Sequence, residues 1–90
     1  MATARRVTCV DKGKHEHPHE GITHLGGSGW RETRQEVIRQ IDAGEYEFYT
    51  FEQGTKAMVK VRTREGVEYV QTQADGKWTD NLLALPSCRQ

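Results

Sequence analysis

The clearest pattern of apolar and polar positions in this chain is a short helical one before its midpoint. Apolar residues recur at helical spacing between positions 37 and 41, with polar residues between them. Thr33 and Glu36 form a capping box, in which each side chain satisfies an orphan backbone N–H of the first turn. Gly44 supplies the left-handed residue that commonly follows a helix. The pattern therefore predicts one helix over residues 33–43.

Alternating, β-branched and aromatic stretches predict the strands. Residues 56–63 alternate most cleanly, and one face of this strand carries Met58, Lys60 and Arg62. Glycine-containing turns separate the later strands from one another. The predicted strands cover residues 5–10, 22–25, 46–51, 56–63 and 67–73.

These elements predict a single α+β domain over residues 1–90, in which one short helix packs on a mainly antiparallel sheet of three or four strands. The predicted order is strand, loop, helix, three-strand meander and tail. Its parts are a histidine/glycine loop over 11–29, the helix over 33–43, a β-meander over 46–73 and an ordered tail over 78–88. The predicted core is Val7, Cys9, Trp30, Val37, Ile38, Ile41, Phe48, Val59, Val61, Tyr69 and Leu82.

Composition and charge argue against two classes of binding partner, nucleic acids and membranes. The chain has 13 basic and 13 acidic residues, and this zero net charge removes the simplest argument for binding nucleic acid through its phosphates. No stretch approaches the ~20 apolar residues of a membrane span, and the N-terminus lacks the apolar core of a signal peptide. We therefore expect a cytoplasmic protein without a membrane partner, in which Cys9 and Cys88 are free thiols.

Several stretches resemble the bacterial family called domain of unknown function 3892. They are Ile22–Gly27 with Gly29-Trp30, residues 38–44 with Phe48-Tyr49, Tyr69, Thr72, residues 74–76, and the ending over 80–88. The resemblance implies one domain with a His-Leu-Gly-Gly loop, and the family brings no established activity. It also implies that Cys9, His19, His24 and Cys88 occupy positions where the family often has the same residue types. His15 and His17 are particular to this chain.

The histidine loop is a candidate zinc site. The candidate ligands are Cys9, His15, His17, His19, His24 and Cys88. Zinc takes four nitrogen or sulfur ligands in a tetrahedron, which this set can supply, although its spacing fits no standard zinc finger. A solvated loop whose histidines titrate near neutral pH is the alternative. The His-Glu-x-x-His match over 15–19 does not indicate a metalloprotease, because that motif needs a helix and Pro18 lies inside it.

The glycine-rich segment before the helix is a candidate anion or partner site. Backbone N–H groups and the helix dipole favour an anion at a helix N-terminus. The candidate residues are His24, Gly26, Gly27, Ser28, Gly29, Arg31, Thr33 and Arg34. The segment is neither a Walker A loop nor a complete dinucleotide fingerprint. A tight turn that needs glycine's backbone freedom is the alternative.

The polar face of the meander is a candidate surface for nucleic acid. Met58, Lys60 and Arg62 point together, and Lys56, Arg64, Tyr49 and Phe51 are expected nearby. Cations beside aromatic rings bind single-stranded nucleic acid through backbone charge and base stacking. The alternative is a solvated face whose lysines protect a sheet edge.

No arrangement of residues supports catalysis. Neither cysteine has a partner histidine fixed by the sequence, and Ser28 lies in no Gly-x-Ser-x-Gly elbow because Trp30 replaces the last glycine. We therefore expect a non-enzymatic binding or adaptor module that contacts a protein partner through the histidine/glycine loop and needs no cofactor. A structural zinc domain and a weak nucleic-acid-binding module are the alternatives. Exposed strand edges are compatible with a dimer as well as a monomer.

Overall fold

Eight strands and one helix make up the regular structure of the residues described. A computed structural model of the chain describes residues 3–13 and 21–88. The strands are β1 (Thr3–Arg6), β2 (Cys9–Lys12), β3 (Ile22–Gly27), β4 (Trp30–Thr33), β5 (Tyr46–Glu52), β6 (Thr55–Arg64), β7 (Val67–Ala74) and β8 (Lys77–Thr79). The helix α1 (Arg34–Asp42) lies between β4 and β5 in the chain.

The strands form two sheets, so the predicted fold class is wrong. The larger sheet has five strands in the order β1-β5-β6-β7-β8, and the smaller has three in the order β2-β3-β4. The described part of the chain is mostly β, and its helix α1 packs against strands of both sheets. A helix on one sheet of three or four strands does not describe it, because the N-terminal segment and the glycine-rich segment build a second sheet of their own.

The predicted first strand is in fact two strands that belong to different sheets. β1 pairs in parallel with β5, whereas β2 pairs antiparallel with β3. The chain crosses between the sheets at Val7 and Thr8, whose N–H groups donate to Tyr49 O and Gly26 O at 2.7 and 2.9 Å. Both backbone N–H groups are hydrogen-bonded at the crossing. The alternating sequence of residues 5–10 therefore does not indicate where the chain passes from one sheet to the other.

The meander is confirmed, with one strand more than predicted. β5, β6 and β7 are consecutive and antiparallel, and β8 extends them beyond the turn at Asp75 and Gly76. The predicted tail therefore begins inside the sheet. Alternation along β6 buries Ala57 and Val59 and leaves Lys60 exposed, as its sequence predicts.

The helix is confirmed to within one residue at each end. Thr33 caps it, accepting a hydrogen bond from Glu36 N at 3.1 Å, and Gly44 follows with φ +72°. The Glu36 side chain, however, accepts hydrogen bonds from Arg39 and Gln40, so only the threonine half of the capping box is seen.

The core lies between the larger sheet, the smaller sheet and the helix. Of the predicted core, Val7, Val37, Ile38, Phe48, Val59, Tyr69 and Leu82 are buried, and Cys9, Trp30, Ile41 and Val61 are partly buried. Val10, Ile22 and Leu25 of the smaller sheet are also buried. Val10 ends one predicted strand, and Ile22 and Leu25 lie in the short strand predicted over 22–25, but none of the three was included in the predicted core.

The C-terminal tail is fixed to β2, which corrects the expectation of free thiols. Cys9 and Cys88 form a disulfide across a sequence separation of 79 residues. The adjacent Asp11 carboxylate accepts hydrogen bonds from Ser87 Oγ and Cys88 N, both at 3.1 Å. No helix in the described part of the chain is long and apolar enough to cross a membrane.

Candidate functional site

The predicted anion site before the helix is divided among separate places. His24 and Thr33 are neighbours across β3 and β4, and with Arg34 they line a depression of about 210 Å³ at the start of α1. Ser28 and Gly29 form the turn of the β3–β4 hairpin. The eight predicted residues therefore do not share one surface.

Gly26 and Gly27 lie inside β3 and not in the predicted loop over 11–29. A Cβ on Gly26 would lie 2.9 Å from Cys88 Sγ and 3.0 Å from Cys9 Sγ. A Cβ on Gly27 would overlap the backbone oxygen of Arg6 and the indole of Trp30. Both glycines therefore serve the close approach of neighbouring segments. Arg31, from the same predicted set, donates to Asp11 Oδ2 at 3.0 Å and so belongs to the anchor of the tail.

Three of the six predicted zinc ligands can be located in the part of the chain that the structure describes. His15, His17 and His19 lie outside the described residues. Cys9 and Cys88 are bonded to each other, and His24 Nδ1 lies 3.1 Å from Thr23 Oγ1. Within residues 3–13 and 21–88, no group of three histidine, cysteine or acidic residues could hold a metal ion. The zinc site stays a prediction.

The predicted basic face is part of a larger surface formed by all five strands of the larger sheet. We call this surface the outer sheet face; it comprises Arg6, Tyr49, Phe51, Lys56, Met58, Lys60, Arg62, Gln71, Gln73 and Trp78. The other face of the sheet buries Phe48, Val59 and Val70. Strand alternation therefore separates an apolar inner face from a basic and aromatic outer one.

One row of the outer sheet face crosses every strand. Register pairs Arg6 with Tyr49, Tyr49 with Met58, Met58 with Gln73, and Gln73 with Trp78. Neighbouring strands lie about 4.8 Å apart, so the row is roughly 19 Å long. It runs from an arginine at one sheet edge to a tryptophan at the other.

Two aromatic rings of this surface are exposed, and its rings lie beside cations. Phe51 and Trp78 are 45% and 42% exposed, which is unusual for rings of this size. The Arg62 guanidinium carbon lies 4.2 Å from the ring centroid of Trp78, and Lys56 Nζ lies 4.8 Å from that of Tyr49. Such contacts hold cations in place without neutralising them.

No ion pair within residues 3–13 and 21–88 joins Arg6, Lys56, Lys60 or Arg62 to a carboxylate. Arg62 donates to the Gln71 amide oxygen and Arg6 to the Phe51 carbonyl, both neutral acceptors. The ion pairs found among the described residues lie elsewhere, at Arg5, Arg31 and Arg39. Alternation along β5 adds a single carboxylate, Glu47, to this face of the strand. The balanced charge of the whole chain is therefore unevenly distributed.

Acidic side chains around the helix have basic partners of their own. Hydrogen bonding to Arg39 lowers the pKa of the Glu36 carboxyl, with a smaller contribution from Gln40. Hydrogen bonds to Glu36 and Glu45 in turn raise the pKa of Arg39. These carboxylates are neutralised locally and do not reduce the positive charge of the outer sheet face.

The family described as protein of unknown function (DUF3892) matches residues 6–86 of the chain. The chain belongs to this family. The resemblance seen in the sequence is thus confirmed. No curated protein and no solved structure matches the chain. The DUF3892 match begins at Arg6 and extends past Trp78, so it includes the whole outer sheet face.

Sequence reasoning missed two residues at the edges of the outer sheet face. Trp78 was assigned to the tail, although the Asp75-Gly76 turn before it is a hairpin signal. Its strand, β8, has only three residues, too few to show alternation. Arg6 joins the surface through a parallel pairing with β5, about 40 residues away in the chain, and no local pattern reveals such a contact.

Proposed function

We propose that this protein is a non-enzymatic binding module that holds single-stranded nucleic acid on the outer sheet face. One observation supports the proposal most strongly. Exposed rings at Phe51 and Trp78 share the outer sheet face with cations that form no ion pair within the described part of the chain. Cations and stacking platforms together are what a single strand requires.

The cations are suited to the phosphate backbone. Arg6 lies on the edge strand β1, while Lys56, Lys60 and Arg62 lie on the central strand β6. Because no ion pair among the described residues holds these groups, a phosphate chain does not have to displace a carboxylate from them. Release of counterions from the nucleic acid then favours binding.

The rings are suited to bases that have left a duplex. Tyr49 and Trp78 belong to the row that crosses the sheet, and Phe51 lies on the same strand as Tyr49. Bases of a single strand can lie flat on such rings, and every base offers a face for stacking. The surface is therefore expected to accept many sequences.

The chemistry of the outer sheet face disfavours two other binding partners, a second copy of this chain and a nucleic-acid duplex. A second copy would bring the same cations face to face, which costs free energy. A duplex hides the bases that the rings would stack on. The surface also replaces the histidine/glycine loop as the proposed site, because the described residues predicted for that site are spread over different places.

Fluorescence anisotropy with a labelled oligonucleotide of mixed sequence tests the proposal. We expect single-stranded DNA or RNA to bind more tightly than the matching duplex. With four cations engaged, the logarithm of the affinity should fall with the logarithm of salt concentration with a slope of about −2.8.

Two substitutions on the face and one control sharpen the test. Trp78→Ala is expected to weaken binding by about tenfold or more, because it removes one stacking platform. Lys60→Ala should reduce the salt slope by about 0.7. Lys77→Ala is the matched control: Lys77 is an exposed strand lysine that alternation places on the opposite face from Trp78.

Either of two results contradicts the proposal. One is the absence of binding at low salt, which would redirect the search towards an acidic protein partner. The other is binding that Lys77→Ala weakens as much as Lys60→Ala does, since such binding would follow total charge and not this surface.

A further inference from the structure

A cleft of about 530 Å³ lies beside the outer sheet face, between β1 and the tip of the β3–β4 hairpin. Arg5, Arg6, Thr8 and Trp30 line it together with the turn residues Ser28 and Gly29. The cleft thus combines two guanidinium groups, two hydroxyl groups and one indole. It contains the side chains that bind oxyanions and lies at the edge of the larger sheet.

Arg5 is held in the wall of the cleft with incomplete hydrogen bonding. Its guanidinium carbon lies 3.7 Å from the ring centroid of Tyr46 and 5.2 Å from that of Trp30. Nη1 is buried and has no hydrogen-bond partner among the described residues. The closest ion-pair contact, to Glu32 Oε2, is 3.6 Å long and exceeds hydrogen-bond range.

This arrangement is unusual for an arginine whose side chain is only 23% exposed. Buried guanidinium groups normally satisfy their N–H donors, because an unmade hydrogen bond in a dry site costs free energy. The stacked rings fix the plane of the guanidinium, and the buried Nη1 faces Glu32, so the remaining N–H donors of Arg5 are the ones left for an anion in the cleft. Glu32 compensates part of the charge, and Arg6 adds a second cation at the rim.

Arg6 connects the cleft to the outer sheet face. It lines the cleft and also ends the row that runs from Trp78 across all five strands. Its Nη2 donates to the Phe51 carbonyl oxygen at 2.6 Å, which holds the guanidinium between the two surfaces. A strand that follows the row reaches the edge of the sheet at this arginine.

The geometry points to the cleft as a phosphate-binding site that takes the terminal phosphate of the strand lying on the outer sheet face. This inference rests on the proposed function, since the strand must first lie on that face. A terminal phosphate monoester carries more negative charge than an internal diester and has three strong acceptor oxygens. Arginines bind such groups through two parallel hydrogen bonds.

The test compares three oligonucleotides of one sequence, which carry a 5′-phosphate, a 3′-phosphate or hydroxyl groups at both ends. We expect one terminal phosphate to raise the affinity about tenfold over the hydroxyl form. Ser28→Glu, which places a carboxylate at the exposed hairpin tip, should abolish this gain. Thr63→Glu adds the same charge at an exposed position of β6, outside the cleft, and should preserve it.

The outcomes separate this inference from the proposed function. Equal binding of all three oligonucleotides, or a gain that survives Ser28→Glu, overturns the terminal-phosphate site and leaves binding to the outer sheet face intact. If no oligonucleotide binds, the proposed function fails. Titration with a nucleoside monophosphate then tests whether the cleft binds phosphate by itself. A shift of the Trp30 indole resonance would then support a phosphate site, and an unchanged resonance would overturn it.

Discussion

At the scale of single residues, Asp11 joins three distant parts of the chain. It is 2% exposed, and its carboxylate accepts hydrogen bonds from Arg31 in β4 and from Ser87 and Cys88 in the tail. A buried carboxylate is tolerated only when such partners satisfy it. The same side chain therefore positions the smaller sheet and the tail together.

Replacing Asp11 should lower the free energy of unfolding by more than the loss of one small side chain would. Asp11→Ala leaves the Arg31 guanidinium and the Cys88 N–H without their acceptor, and we expect the free energy of unfolding to fall by about 3 kcal/mol. Urea denaturation measures this change. Asp42→Ala, at an exposed position at the end of α1, is the control, and an equal effect of the two substitutions would contradict this role for Asp11.

At the scale of elements, the β3–β4 hairpin depends on two glycines that lack room for a side chain. Gly27 lies against the Arg6 backbone and the Trp30 indole, and Gly26 lies against the disulfide. Through these contacts the hairpin packs against both β1 and the C-terminal tail. Its tip also forms one wall of the cleft beside the outer sheet face.

Gly27→Ala is expected to displace this hairpin. The added methyl group overlaps a backbone oxygen, which moves only with its strand, so the free energy of unfolding should fall by about 2–3 kcal/mol. Gly13→Ala is the matched control, because its nearest contact, Thr23 Cγ2 at 3.4 Å, is close to ordinary van der Waals distance. Thermal unfolding compares the two variants, and equal melting temperatures would show that the hairpin has room for the methyl group.

At the scale of the whole molecule, the disulfide closes almost the entire chain. A domain of 90 residues buries a modest core, so its expected stability is only about 5–13 kcal/mol. Closing a loop of nearly 80 residues contributes roughly 4.5 kcal/mol in the chain-entropy account. The cross-link is therefore comparable in size to a large part of the net stability.

The double substitution Cys9→Ser and Cys88→Ser tests this contribution. We expect it to lower the free energy of unfolding by about 4 kcal/mol, measured by urea denaturation without reductant. Adding dithiothreitol should destabilise the wild type to a similar extent and leave the double variant unchanged. Wild-type stability that does not respond to reductant would mean that the bond contributes little in solution.

Local chemistry made part of the fold and of the candidate site predictable. Thr33 and Gly44 mark the ends of the helix, and glycine turns mark the meander, because caps and tight turns act over a few neighbouring residues. Alternation along β6 also assigned Met58, Lys60 and Arg62 to one face before any pairing was known. Part of the proposed surface was therefore predictable from the sequence.

The sequence by itself determined the helix, the antiparallel meander and the polar character of one sheet face, since each follows from contacts between near neighbours in the chain. Only the tertiary structure decided the rest. It divided residues 5–10 between two sheets, brought Arg6 beside Tyr49, and joined Cys9 to Cys88. Those contacts form between segments tens of residues apart, where shape and register choose the partner and no local pattern records the choice.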